Sequence, residues 1–194
     1  MKDLVEVAAE LQTLIQSKGW KFCFIGGLAI QRWSEPRLTN DVDLTLLTGF
    51  GGEEVFVDEL LRHYQPRRPD AREFALRSRV LLIQTADGIG IDVALGALPF
   101  EEIAIQRSRM MEFAPGIELR TCTADDLIVM KAFADRDQDR IDLEKIMIRQ
   151  GTSNLDWKYI HKHLIPLCEL KEAPDIITRL DQLKRKIAAT EPAN

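Results

Sequence analysis

Asp41 and Asp43 flank a single valine at the start of Asp41–Leu47, DVDLTLL, whose other residues are those of a buried strand. Successive side chains on a strand point to opposite faces. Val42, Leu44 and Leu46 therefore share one face, and Asp41, Asp43 and Thr45 share the other. The two carboxylates project the same way from Cα atoms roughly 6.5–7 Å apart. Left unpaired they repel, and one tends to hold its proton. A hard divalent cation removes the conflict, because Mg2+ takes oxygen ligands from one or two carboxylates together with substrate phosphates. A third carboxylate stands in IGIDVALG, residues 89–96. Ile89, Ile91, Val93 and Leu95 form the apolar face, which leaves Asp92 among Gly90, Ala94 and Gly96. Such small neighbours suit a strand against which a ligand or metal must lie. Alone, Asp92 reads equally as an exposed polar residue on a two-faced strand; beside Asp41 and Asp43 the metal reading gains.

Gly26-Gly27 ends an apolar strand and precedes a helix. Free N–H groups at a helix N-terminus suit an anion such as a phosphate. A lone glycine pair is usually a turn, but strand, glycine pair, helix and Asp-x-Asp strand in that order are much more specific. Further on, Lys131 lies in ADDLIVMKAFA, next to Leu127 and Ile128 one turn back and Ala134 one turn on. A lysine in such company either snorkels out or meets a buried anion. Asp139 and Asp142 share one face of the following helix. Arg62–Arg79 carries six arginines against Asp70 and Glu73. It is a local positive region that could steer a polyanion such as RNA, or else a solvated loop and edge strand. His161 and His163 have no cysteine pair or further histidine near them, so a solvated helix face is the better reading than zinc.

The elements that must position these groups follow from periodicity. Leu4, Val7, Ala8, Leu11 and Ile15 define a first helix ending at Lys18-Gly19. Strands are expected at 21–25, 41–47, 79–85, 89–95 and 116–120, the middle pair forming a hairpin over Asp87-Gly88. Helices are expected at 28–33, stopped by Pro36, then at 53–62 and 99–111, with a polar loop at 65–70. After Thr123 only helices follow, at 124–134, 138–149, 157–163 and 175–187. The sequence therefore reads as α+β: a mixed β-sheet flanked by helices in residues 1–120, then a C-terminal helical lobe in 121–194. The 194 residues, 45% hydrophobic, suffice for one sizeable core and a small second lobe. A net charge of −5 argues against broad electrostatic binding of nucleic acid. No apolar run reaches the ~20 residues of a membrane span, and the amphipathic N-terminus lacks a signal-peptide core. Cys23, Cys122 and Cys168 are odd in number and far apart, as expected of reduced thiols in a cytoplasmic protein.

The stretch Gly26-Gly27 with RLTNDVD, residues 37–43, resembles the signature of the polymerase-beta-type nucleotidyltransferase superfamily. "GIGIDVALGALPFEE" and "TADDLIVMKAFADRDQDRIDLEKI" further resemble its small bacterial branch that includes the AbiEii-type toxins. The resemblance covers most of Phe24–Ile146 and implies the nucleotidyltransferase fold. It also implies that Asp41, Asp43 and Asp92 hold one or two Mg2+ (or Mn2+) ions, with Asp92 acting on the acceptor hydroxyl as base or ligand. Gly26 and Gly27 would cradle the triphosphate of an NTP such as ATP, and Arg37 and Thr39 would reach its oxygens, although Arg37 reads nearly as well as a loop cation. Lys131 would hold nucleotide phosphates, and Asp142 would position Lys131 or the substrate, or join two helices by a salt bridge. Of the branch pattern Lys…Arg…Lys-Asp-x-x-Asp, Arg136 matches, but Gln138 stands where a lysine is usual.

Two functional readings follow. The first is an enzyme that moves a nucleoside monophosphate from an NTP to a hydroxyl of an RNA end, a protein or a small molecule and releases pyrophosphate; it could serve as the toxin of a toxin–antitoxin pair. The second is a nucleotide-binding regulatory or antitoxin-partnered protein with little turnover, which Gln138 favours. A metal-dependent nuclease is disfavoured, because hydrolysis needs no triphosphate cradle.

Overall fold

The computed structural model describes residues 3–190. Helix α1, Leu4–Ser17, begins at a reciprocal cap in which Asp3 accepts from the Glu6 amide and Glu6 accepts from the Asp3 amide. Its stripe of Val7, Ala8, Leu11 and Ile15 is fully buried. The strands are β1 (Phe22–Phe24), β2 (Asp41–Leu47), β3 (Gln65–Pro66), β4 (Val80–Gln84), β5 (Gly90–Gly96), β6 (Arg109–Ala114) and β7 (Ile117–Thr121). They form a mixed sheet in the order β3-β4-β5-β2-β1-β7-β6. β2 and β5 run parallel at its centre, β1 is antiparallel to β2, and β4 and β5 form a hairpin. Helices α2 (Gly26–Trp33), α3 (Glu53–His63), α4 (Ala71–Ser78) and α5 (Pro99–Arg107) lie between the strands in sequence.

The described chain divides into two compact units. The first holds the chain up to Leu28 and Leu38–Cys122; the second holds Ala29–Arg37 and everything from Thr123 onward. In the first, Val42, Leu44 and Leu46 of β2 meet Ile91, Val93 and Leu95 of β5, Leu81 and Ile83 of β4, and the inner faces of α1 and α3. Each such fully buried side chain contributes about 1.5–3 kcal/mol. In the second, α6 (Ala124–Ala134), α7 (Asp137–Gln150), α8 (Trp157–Leu170) and α9 (Asp175–Ala188) follow one another, with a short 3-10 turn at Thr152–Asn154. Ile128, Val129, Ile146, Met147, Ile160 and Leu164 are among its fully buried apolar residues. Among the described residues no helix is long and apolar enough to cross a membrane.

The mixed sheet, the flanking helices and the helical C-terminal stretch are as expected from the sequence. Four local expectations are corrected. α2 starts at Gly26, not Leu28, so the glycines lie in its first turn, and Gly26 enters it with a φ of +53° that glycine adopts readily. The expected polar loop after Gln65 contains the short β3 and is followed by α4. The buried stripe of α4 is only Ala71 and Ala75, too weak an apolar signal to reveal a helix. The helix expected to reach Met111 stops at Arg107, and β6 follows as an exposed edge strand. α8 runs through Pro166 to Leu170, because Leu164, Leu167 and Cys168 are buried and outweigh the proline's cost of about 3 kcal/mol.

Candidate functional site

In the parallel β2–β5 pair Asp43 lies directly opposite Asp92, and Asp41 opposite Gly90. Paired residues on adjacent strands sit ~4.8 Å apart and share a face, so the three carboxylates occupy neighbouring positions on the side of the sheet away from the apolar core. Their crowding depends on glycine. A Cβ at Gly90 would fall 1.8 Å from Asp41 Oδ1, and one at Gly26 would fall 2.1 Å from Asp43 Oδ2. The Gly27 N–H donates to Asp43 Oδ2 at 3.1 Å, so the first turn of α2 is tied to the carboxylate. A Cβ at Gly27 would fall 2.2 Å from Thr39 Oγ1, and that hydroxyl donates to the Asp41 carbonyl at 3.3 Å. Gly26, Gly27, Thr39, Asp41 and Asp43 are thus one interlocked set.

A sixth residue completes it. Arg67 Nη1 lies 2.6 Å from Asp92 Oδ1 and 3.5 Å from Asp41 Oδ1. Burial raises the Asp92 carboxyl above its ordinary range; Arg67 opposes the rise, and the charges of Asp43 and Asp41 add to it. The donor set is all oxygen, which suits a hard divalent cation. As the side chains stand, no three carboxylates, imidazoles or thiolates among the described residues converge to hold a metal, and a guanidinium lies between two of the three here. The carboxylates suit such an ion in the chemistry of their donor atoms, while Arg67 holds two of them.

The remaining candidates, Arg37, Lys131 and Asp142, belong to the second unit. Lys131 is buried, and its Nζ donates to Asp139 Oδ1 and Asp142 Oδ2, both at 2.8 Å. Arg37 grips Asp142 through two bonds of 3.0 Å, and Arg136 grips Asp139. Gln138 donates to Asp142 at 2.9 Å, so the amide supplies a hydrogen bond without a charge. Burial pushes both carboxyls up, but the hydrogen bonds and charges of their partners outweigh it. Asp139 and Asp142 end below their ordinary range.

The sequence of residues 12–150 matches the family model described as "Nucleotidyl transferase AbiEii toxin, Type IV TA system". The chain belongs to the AbiEii nucleotidyltransferase family. Among curated proteins, none matches it. Of solved structures, an antigenic nucleotidyltransferase-like protein from Paracoccidioides brasiliensis superposes with a TM-score of 0.53 at 15% identity, covering 92% of each chain. That likeness shows the nucleotidyltransferase fold. The antibiotic-resistance factor ANT(2'')-Ia gives a TM-score of 0.46 at 16% identity, covering 96% of this chain and 93% of its own.

In this AbiEii-family chain the arginine run is largely internally neutralised. Arg62 pairs with Glu59, Arg68 with Asp70, Arg72 with Asp58 and Arg79 with Glu53. Arg67 is the member that reaches the carboxylate face, and the sequence did not single it out. Its only signal was its place in the run, because β3, the strand it follows, spans just Gln65–Pro66.

Proposed function

We propose that this chain transfers a nucleoside monophosphate from an NTP to a hydroxyl acceptor, releasing pyrophosphate, as the toxin of a toxin–antitoxin pair. The observation that supports this most is the register that sets Asp43 beside Asp92 while the Gly27 amide binds Asp43. One strand pair thereby carries three carboxylates with the glycine turn against them. Asp41, Asp43 and Asp92 would hold Mg2+ or Mn2+, which when bound polarises the α-phosphate and neutralises the leaving pyrophosphate. Gly26 and Gly27 place the α2 N-terminus and its positive dipole end beside Asp43, where a triphosphate fits. Asp92 takes the proton of the acceptor hydroxyl. The acceptor oxygen then bonds to the α-phosphorus as the bond from that phosphorus to the pyrophosphate oxygen breaks.

The family description supports a companion antitoxin. An RNA acceptor steered by Arg62–Arg79 has weaker support, because most of those charges meet a carboxylate of the chain itself. A cytoplasmic setting agrees with three buried cysteines.

The test incubates purified protein with each α-32P-labelled NTP, Mg2+ or Mn2+, and cell extract as acceptor. Label should enter one class of molecule and be lost with Asp43→Asn, a drop of at least ~100-fold, as for loss of a principal electrostatic group. Absence of label with NTP-dependent thermal stabilisation intact would instead favour a nucleotide-binding regulator.

A further inference from the structure

Arg67 has an unusual approach to the carboxylates. Its backbone is fixed, since its N–H donates to the Leu82 carbonyl at 3.1 Å, and Leu82 is the residue opposite Asp92 in the β4–β5 pairing. Two strand spacings, ~9.6 Å, therefore separate the Arg67 main chain from that of Asp92. The side chain crosses β4 to reach β5. Only its head group makes the contacts, at 2.6 Å to Asp92 and 3.5 Å to Asp41. The side chain is 32% exposed, so the head can leave without disturbing the buried core. The floor below is shaped for it as well: a Cβ at Gly90 would fall 2.8 Å from Arg67 Nη1. Neighbouring arginines make their ion pairs elsewhere, with Glu59, Asp58, Asp70 and Glu53.

We propose that Arg67 is a built-in substitute cation. It occupies the carboxylate face when no divalent ion is bound, and it must swing off Asp92 and Asp41 before an ion can enter. The idea rests on the metal reading of Asp41, Asp43 and Asp92. Without a positive charge, three crowded carboxylates would repel one another or take up protons. The guanidinium prevents this, and it competes with the ion for the same oxygens. Divalent-ion affinity is therefore set lower than the bare carboxylates would give. Because an arginine swung off the face faces solvent beside bound nucleotide, it is also placed to pair with a phosphate in the bidentate manner that suits guanidinium. Ion and nucleotide then displace it together more readily than either does alone.

The experiment measures Mn2+ binding directly, by loss of the free-ion electron paramagnetic resonance signal, at low ionic strength and without nucleotide. Arg67→Gln should bind Mn2+ roughly tenfold more tightly than the unaltered protein. Arg67→Lys, which keeps the charge on a shorter, single-point head, should fall between them. Asp43→Asn should abolish binding in every background. Circular dichroism confirms that each variant is folded. If Arg67→Gln and the unaltered protein bind Mn2+ equally, and Asp43→Asn abolishes both, the metal reading stands and the substitute-cation role is overturned. If Arg67→Gln binds more weakly, Arg67 organises the site instead, and the proposal is likewise wrong. If neither Arg67→Gln nor the unaltered protein binds Mn2+, the metal reading and the proposal fall together.

Discussion

Gly27 shows how little space the site leaves. Its missing side chain is where Thr39 Oγ1 stands, 2.2 Å from the position of a Cβ. Gly27→Ala forces the strand leader carrying Thr39 to shift, and overpacking of this kind costs about 1–3 kcal/mol. Urea denaturation should show that loss, and Gly27→Ala combined with Thr39→Gly should regain most of it, a coupling that independent positions would lack. Gly26 is constrained twice, by its φ of +53° and by Asp43. That Asp41 and Asp43 share a face, and that Asp92 lies opposite the apolar face of its own strand, was legible in the sequence because strand side chains alternate strictly. Their register was not. Nothing local says that Asp43 faces Asp92 across a parallel pair whose members are separated by α3, β3, α4 and β4. Arg67 was hidden for a related reason, since it follows β3, a strand of two residues that the sequence could not place, and its side chain reaches across β4.

At the scale of elements, α6 and α7 are joined by charge as well as by apolar packing. Lys131 bridges Asp139 and Asp142 with almost no exposure to water, and each aspartate has a second, arginine partner. Removing one member of a buried ion network leaves charge uncompensated, at a cost of about 3–5 kcal/mol. Lys131→Met should fall at the lower end, about 3 kcal/mol in urea denaturation without nucleotide, because Arg37 and Arg136 still hold the carboxylates. The pH response has a definite sign. Both carboxyls lie below 3.8 in the folded chain, so they bind fewer protons there than when unfolded. Their stabilisation is complete above the unfolded value, near pH 4, and is lost as the pH falls through the folded values. Urea midpoints measured from pH 7 to pH 3 should drop steeply below pH 4, and Asp142→Asn should flatten that drop. The helices themselves were readable: the apolar run of α6 and the Thr123–Asp126 cap are local signals. The ion network was only half readable, since the expected anion for Lys131 proved to include side chains of its own chain.

Across the whole molecule, the second unit is not a simple C-terminal piece. Ala29–Arg37 belongs to it, supplying Arg37 to Asp142 and the Trp33 carbonyl to Gln150 at 2.8 Å. The all-helical run after Thr123 was legible as such, yet this early segment was not, because its contacts lie more than a hundred residues away. A fragment of residues 123–194 should therefore show reduced helicity and a broad, weakly cooperative thermal transition by circular dichroism. Adding back a peptide of residues 29–37 should sharpen it. A fragment that melts as cooperatively as the full chain would show that the early segment is dispensable.

The same arrangement has a consequence in time. On the ribosome Arg37 emerges 105 residues before Asp142. At ~5–20 residues per second it waits about 5–20 s for its partner. During that interval the strands of β2, β4 and β5 are already available to pair, while one of the earliest helical segments has nowhere to go. Synthesis order thus lets the carboxylate-bearing sheet form first and leaves the second unit, begun near the N-terminus, to close last.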